Sequence, residues 1–478
     1  MKRPLLLGLL ATVLLAGAGA GVHAWRTGQQ RAALAQASVP PRPDLATWSP
    51  ELTQRLAACE ARIRGGQDTL ATLGELSRLY HANGFLAEAQ QCYEGLEQLE
   101  PDNPRRLHRH ATILAGYGDI EPARSRWRRA RELAPDYRAV SLRLAELSIK
   151  ADDFATARRE YDAILAWFPD EPYAILGLAR CEIQAERWSA ALPLLERLVN
   201  QTSYQLGYDL LVTVYERLGR TADAERVRAM YRASGAFHDY TDPWMLELND
   251  DCYSAYTLAL ASGAAELEQD YALATRRIER AIALAPAEGS LNFQYGRLLL
   301  RQKRYSAARS QFEQATRVTP GFSDGWAYLS TLLETLGDRA GAARVLADGL
   351  RACPDSPGLH LIHARNLVRD RNPEQAIAEF RTTIRLRPTE AEGYLGLATT
   401  LFQLGRQEEG LAEVDRALVA EPEHPAALSL RTFHALSNGN QPEAERWLRR
   451  LLRQPRSEAR DREQFLQAYR QQFGRNFN

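Results

Sequence analysis

The chain of 478 residues reads as an all-α solenoid, a series of helix–turn–helix units stacked in sequence order. Three observations carry this expectation. Prolines recur at Pro286, Pro320, Pro354, Pro388 and Pro422, every 34 residues without drift. Between them the same cues return in the same order: an apolar helical run, a turn, then Ala308 with Phe312, Ala342 with Leu346, Ala376 with Phe380, and Gly410 with Val414. The same register marks an N-terminal tandem closed by Pro101, Pro135 and Pro169. Proline ends the second helix of a unit because it has no backbone N–H and biases the residue before it away from helical geometry. Small residues on the first helix (Gly296, Ser330, Ala364, Ala398) and Ala308, Ala342 or Ala376 on the second mark a close helix contact that a larger side chain would overpack. One such pair cannot bury its apolar face alone, so the units must stack.

The copy from Ser323 to Ser356, with Trp326, Leu329, Ser330, Leu333, Gly337, Ala342, Leu346 and Pro354, resembles the tetratricopeptide repeat. The resemblance extends over roughly four-fifths of the chain, in about eleven copies. It implies a right-handed superhelix whose first helices form an inner wall, with partner peptides lying along that wall.

In chain order, residues 1–25 read as an export signal or membrane anchor: Lys2 and Arg3, then an uncharged run with a leucine-rich centre from Leu5 to Leu15. Arg26 and Arg31 follow directly, which favours an uncleaved anchor slightly, and no cysteine near the end of the run supports a lipoprotein signal. Residues 26–48 form a linker whose Pro40-Pro41-Arg42-Pro43 is expected to act as a stiff spacer. Ser49-Pro50-Glu51 starts a capping helix within residues 49–69, with Ser at the cap and Pro at the first helical position.

The first block of repeats spans 70–238 and the second 255–456, with a polar capping helix over 457–478. Between the blocks, residues 239–254 interrupt the phase with Tyr240, Trp244 and Tyr253 among several carboxylates. This insertion has three readings: a connector whose aromatics pack on neighbouring helices, a partner-binding or groove-closing element, or an oxygen-ligand metal site from Asp239, Asp242, Asp250 and Asp251 without EF-hand spacing. Tyr240, Asp242, Trp244 and Glu247 are its candidate binding residues, and the insertion, more than the regular repeats, is expected to set partner choice.

The formal net charge is zero, so no global field draws in nucleic acid or an anionic membrane surface. Five scattered cysteines lack any CxxC spacing and form neither a disulfide framework nor a zinc site, although Cys59 and Cys92 would be free to pair in an oxidising compartment. No motif of nucleophile, phosphate loop, zinc protease or dinucleotide fold is present, no cofactor is implied, and His108-Arg109-His110 reads as surface or packing residues.

Binding is the natural use of such a wall. One inward column reads Arg78, Thr112, Glu146, Arg180, Thr213, then Arg297, Thr331, Arg365, Thr399, with Tyr173, Phe293, Arg301 and Arg369 beside it. Arg297, Arg301, Arg365 and Arg369 would suit a carboxylate or an anionic polymer. The Lys and Asn set by which chaperone-binding members of the family hold a carboxylate is not reproduced. The expectation is a non-enzymatic protein or peptide scaffold, anchored in a bacterial inner membrane by its N-terminal segment alone and facing the periplasm, or released there if the signal is cleaved. The alternative is a carbohydrate-handling part of a polysaccharide or envelope secretion machine.

Overall fold

A computed structural model describes residues 27–231, 240–453 and 459–477, and every regular element among them is a helix. The expected export segment lies outside these residues, and among those described no helix is long and apolar enough to cross a membrane. Eleven helix–turn–helix units follow one another in the sequence of the described residues, from Thr69–Ala82 with Leu86–Leu99 to Pro425–Ser437 with Gln441–Leu452.

Each pair is built as the residue types require. Gly296 faces Phe312 so closely that a Cβ there would lie 2.5 Å from the ring, and Gly177 lies as close to Tyr161 of the preceding pair's second helix. Where the small residue is serine, its hydroxyl donates to a carbonyl of the second helix: Ser330 to Ala342 at 3.1 Å, and Ser262 to Ala274 at 2.8 Å. The closing prolines do more than stop a helix. The carbonyls of Pro320, Pro354 and Pro388 bond the side chains of Trp326, His360 and Tyr394, each from the next first helix.

The turn inside every pair needs one residue with left-handed backbone. Glycine supplies it at Gly84, Gly118, Gly219, Gly337, Gly405 and Gly439, while Asp152, Glu186, Gln269, Lys303 and Arg371 adopt it despite a Cβ.

The described residues form two compact units: one of residues 27–220 with 240–258, the other of residues 221–231 with 259–453 and 459–477. Gln205–Arg217 belongs to the first unit and Thr221–Tyr231 to the other.

Of the stretch 26–48, expected as a spacer, the described residues 27–48 are bound to the capping helix and the first repeat. Residues 27–37 are helical, Arg31 donates to the Leu99 carbonyl at 3.1 Å, and Ser38 fills the space that a side chain at Gly95 would need. Arg42 forks onto the buried Glu60 at 3.0 and 2.6 Å, and the Trp48 ring lies 5.1 Å from Phe85. The capping helix is Pro50–Arg64, with the Ser49 hydroxyl accepting from the Glu51 amide at 3.2 Å. In the second unit, Ala459–Phe473 closes the stack through buried Tyr469, whose hydroxyl donates to Glu445 at 2.6 Å. All five cysteines are free thiols, Cys59 and Cys92 both buried, and burial pushes the Cys59 thiol up to about 12.

Candidate functional site

First helices of successive repeats touch one another, as Ser323–Thr335 touches Pro357–Arg369 and Arg138–Lys150 touches Pro172–Gln184, so within each unit they line the inner wall. In the first unit that wall is covered. The insertion, a short helix Pro243–Leu246 running into a 3-10 turn Glu247–Asp251, lies along it from the fourth pair back to the capping helix.

Its N-terminal end is held by aromatics and a buried hydrogen-bond chain. Tyr240 is buried against Tyr173, ring centroids 5.4 Å apart, with the Arg143 guanidinium 4.7 Å above its ring. Asp242, also buried, caps the short helix and accepts from the His108 ring at 2.8 Å and from the Tyr137 hydroxyl at 2.6 Å. The indole N–H of Trp127 donates to His108 Nδ1 at 3.0 Å, which leaves the ring proton on Nε2, facing Asp242. Tyr137 accepts from the Trp244 amide at 2.8 Å, and the two rings stack with centroids 3.5 Å apart and planes 5° from parallel. Burial would raise the Asp242 carboxyl, but the bonds from His108 and Tyr137 together with nearby Arg143 hold it below the usual carboxylate range. Burial and the adjacent Asp242 raise the Tyr137 phenol, which keeps it a donor.

The C-terminal end is held by cations and backbone bonds. Arg109, itself buried, forks onto the Trp244 carbonyl at 3.0 and 2.6 Å and reaches Glu247 at 2.7 Å, where Arg105 also bonds at 2.8 Å. Asp251 receives Arg55 at 3.1 Å and Arg78 at 2.8 Å. The Asn83 amide donates to the Asp251 carbonyl at 2.9 Å and accepts from the Tyr253 amide at 2.6 Å, so one side chain reads the backbone twice. Arginines of this wall therefore grip carboxylates that the same chain supplies, Glu247 and Asp251.

All four insertion candidates thus face the wall: Tyr240, Asp242 and Trp244 are buried, and Glu247 is half-exposed between two arginines. The insertion's aromatics pack on first helices of the first unit. Asp242 and Asp251 are bound to basic partners, and no set of three metal-ligating side chains occurs among the described residues. Asp239 lies outside those residues. Of the first-unit groove candidates, Tyr173 touches the insertion and Arg180 is exposed.

The wall also uses Arg55, Asn83, Arg105 and Tyr137, which the sequence pattern does not single out. His108, Arg109 and His110 are all buried, within the expectation of surface or packing residues, and His108 and Arg109 bond the insertion. The run is visible in the sequence as three consecutive basic residues, but its acidic partners, Asp242 for His108, Glu247 for Arg109 and Glu97 for His110, lie on other elements.

The second unit's wall has no such cover among the described residues. Phe293 forms an aromatic cluster with Phe312, Phe322 and Tyr328, and Arg297 lies 5.9 Å over its ring. Arg301 pairs with Glu266 at 2.7 Å and Arg369 with Glu334, so two of the four proposed anion-binding guanidiniums are neutralised within the fold. Arg365 is exposed between two clefts of about 500 and 590 Å³, the first also lined by Val368, Phe380, Glu392, Thr399 and His424.

Two family models described as tetratricopeptide repeat match the chain, one over residues 114–174 and 148–203, the other over 258–315, 293–357 and 363–425. Protein FlbA of Caulobacter vibrioides is 28% identical over 170 residues, which is 36% of this chain and 28% of that protein. DnaJ homolog subfamily C member 3 of Homo sapiens is 23% identical over 146 residues, 27% of this chain and 29% of its own length. The match thus spans less than a third of either relative. Among solved structures, yeast Tom70 is similar at 14% identity over 84% of this chain and 95% of its own, with a TM-score of 0.40. PilW, a type IV pilus biogenesis factor, is similar at 18% identity over 39% and 86%, with a TM-score of 0.35.

Proposed function

We propose that this chain, which belongs to the tetratricopeptide repeat family, is a non-enzymatic scaffold that binds protein segments along the inner wall of its second unit. We place it on the exported side of a bacterial inner membrane, a reading supported by the cationic and leucine-rich composition of residues 1–25. The observation that carries the binding reading is the accessible column Arg297, Thr331, Arg365, Thr399 beside the Arg365 clefts, at a position where the first unit's wall is already filled. Aromatic Phe293 and Tyr328 supply apolar contact, and Arg365 supplies a charged donor for a carboxylate. Pairing of Arg301 and Arg369 with acids removes half of the charge that an anionic polymer would need, so the polysaccharide reading gains no support from this surface.

The test is site-specific photo-crosslinking in envelope fractions, with the probe at Thr399 on the wall or at Val419 on the outer helix, which is 82% exposed. Crosslinks to a defined protein at Thr399, absent at Val419 and reduced by Arg365→Glu, are expected. Equal labelling from both positions would refute the assignment.

A further inference from the structure

The insertion is laid down as a ligand rather than as a joint. A connector packs on the elements that it joins, but Tyr240 to Tyr253 bonds side chains 105 to 202 residues earlier in the chain. It meets successive first helices in strict reverse order: Arg143 and Tyr173, then Tyr137 and His108, then Arg109 and Arg105, then Arg78, and last Arg55 of the capping helix. Much of the recognition is addressed to backbone: the Trp244 carbonyl takes both bonds from Arg109, and Asn83 takes the carbonyl of Asp251 and the amide of Tyr253. Bonds of that kind would accept another polypeptide carrying the same few side-chain anchors. Those anchors are an aspartate on His108 and Tyr137, a tryptophan on the Tyr137 face, and acids at Arg105/Arg109 and at Arg55/Arg78.

We infer that the inner wall of the first unit is a recognition site for an acidic polypeptide segment anchored by one tryptophan, and that residues 240–253 occupy it as a ligand in cis. A partner segment of that chemistry, offered in trans, competes with the insertion. A polyanion without an aromatic would engage the arginines but leave the Tyr137 stacking face empty, so the tryptophan distinguishes a peptide from a charged polymer. The inference rests on the reading of the chain as a protein-binding scaffold but uses the other unit's wall, so crosslinking at Thr399 can fail without touching it.

The probe is a labelled synthetic peptide with the sequence of residues 240–253 carrying Cys252→Ser, titrated by fluorescence anisotropy against three forms of the full chain. These are the wild type, a release variant (Asp242→Asn with Trp244→Ala), and the release variant with Arg109→Ala added. Because apparent affinity falls by the fraction of molecules whose site is open, the release variant is expected to bind at least tenfold more tightly than the wild type. Adding Arg109→Ala, or using a peptide with alanine in place of its tryptophan, should abolish that gain. A folded release variant that binds no better than wild type, or that binds the tryptophan-free peptide equally well, overturns the inference. Should the release variant fail to fold, Glu247→Gln with Asp251→Asn, which removes only charge from the insertion, is judged by the same criterion. If that variant also fails to fold, the insertion is an indispensable core element and the inference is wrong.

Discussion

Arg371 and Lys303 hold left-handed backbone, φ 60° and 59°, at the inter-helix turn where other repeats place glycine. A Cβ in that region costs roughly 1–2 kcal/mol. Arg371→Gly and Lys303→Gly are therefore expected to leave stability unchanged or raise it by up to about 1 kcal/mol, net of glycine's greater entropy when unfolded. A fall in the unfolding midpoint for both would show that their side chains matter more than their backbone. Asp242 poses the opposite case, a side chain whose ionised state is the point. Its carboxyl is held below its ordinary range by His108 and Tyr137, in spite of burial, so its contribution is present above the unfolded carboxylate value and disappears as pH falls through the folded one. Acidification should loosen the insertion, seen as faster exchange of the Trp244 amide, and Asp242→Asn should flatten that acid dependence. An unchanged acid limb in the variant would assign it to another group.

At the scale of the helix pair, the contact between Gly296 and Phe312 decides how closely two helices approach. Gly296→Trp, or Ala342→Trp in the next pair, would drive a large side chain into a filled contact and should cost roughly 1–3 kcal/mol or more. The melting midpoint checks this, and an unshifted midpoint for both would mean that the pairs pack elsewhere. The same pairs show how polar residues are tolerated inside: Ser262 and Ser330 are buried at the small position, yet each hydroxyl has a carbonyl to bond. Serine occupies the small position where its hydroxyl has such a carbonyl to bond, and glycine occupies it at 296, where the Phe312 ring leaves no room for a Cβ.

At the scale of the whole molecule, the insertion is bound within the first unit. Trp244 joins a buried cluster with Leu107, Ala111, Trp127, Val140 and Leu144, all in the first unit. Trp244→Ala should cost about 3–5 kcal/mol there. Solenoid stability is carried by neighbour contacts, so the loss should be local. Hydrogen exchange is expected to quicken in Pro104–Tyr117 and Arg138–Lys150 while Pro357–Arg369 and Ala391–Gln403 keep their protection. Uniform loss across both units would show that they unfold as one.

The periodic features were legible in residues alone, because a repeat writes its local constraints at fixed spacing. Pro320, Pro354 and Pro388, the small residues at 296, 330, 364 and 398, and Gly84, Gly118 and Gly337 each answer a steric demand met within one pair. Those demands determined the all-α class, the register of ten of the pairs and the family. Where the insertion goes was a different kind of question. Trp244 and Asp242 carry an aromatic and a charge that suit an outside partner as well as an inside wall, and nothing local distinguishes the two. The strap over residues 27–48 posed the same difficulty, since Ser38 against Gly95 is a match between distant surfaces. Only the folded chain, by bringing Tyr137, His108 and Arg109 within bonding distance of residues more than a hundred positions away, decided that the first unit's wall is filled by its own sequence. The free energy of that choice lies in long-range burial and charge pairing, which leave no period to read.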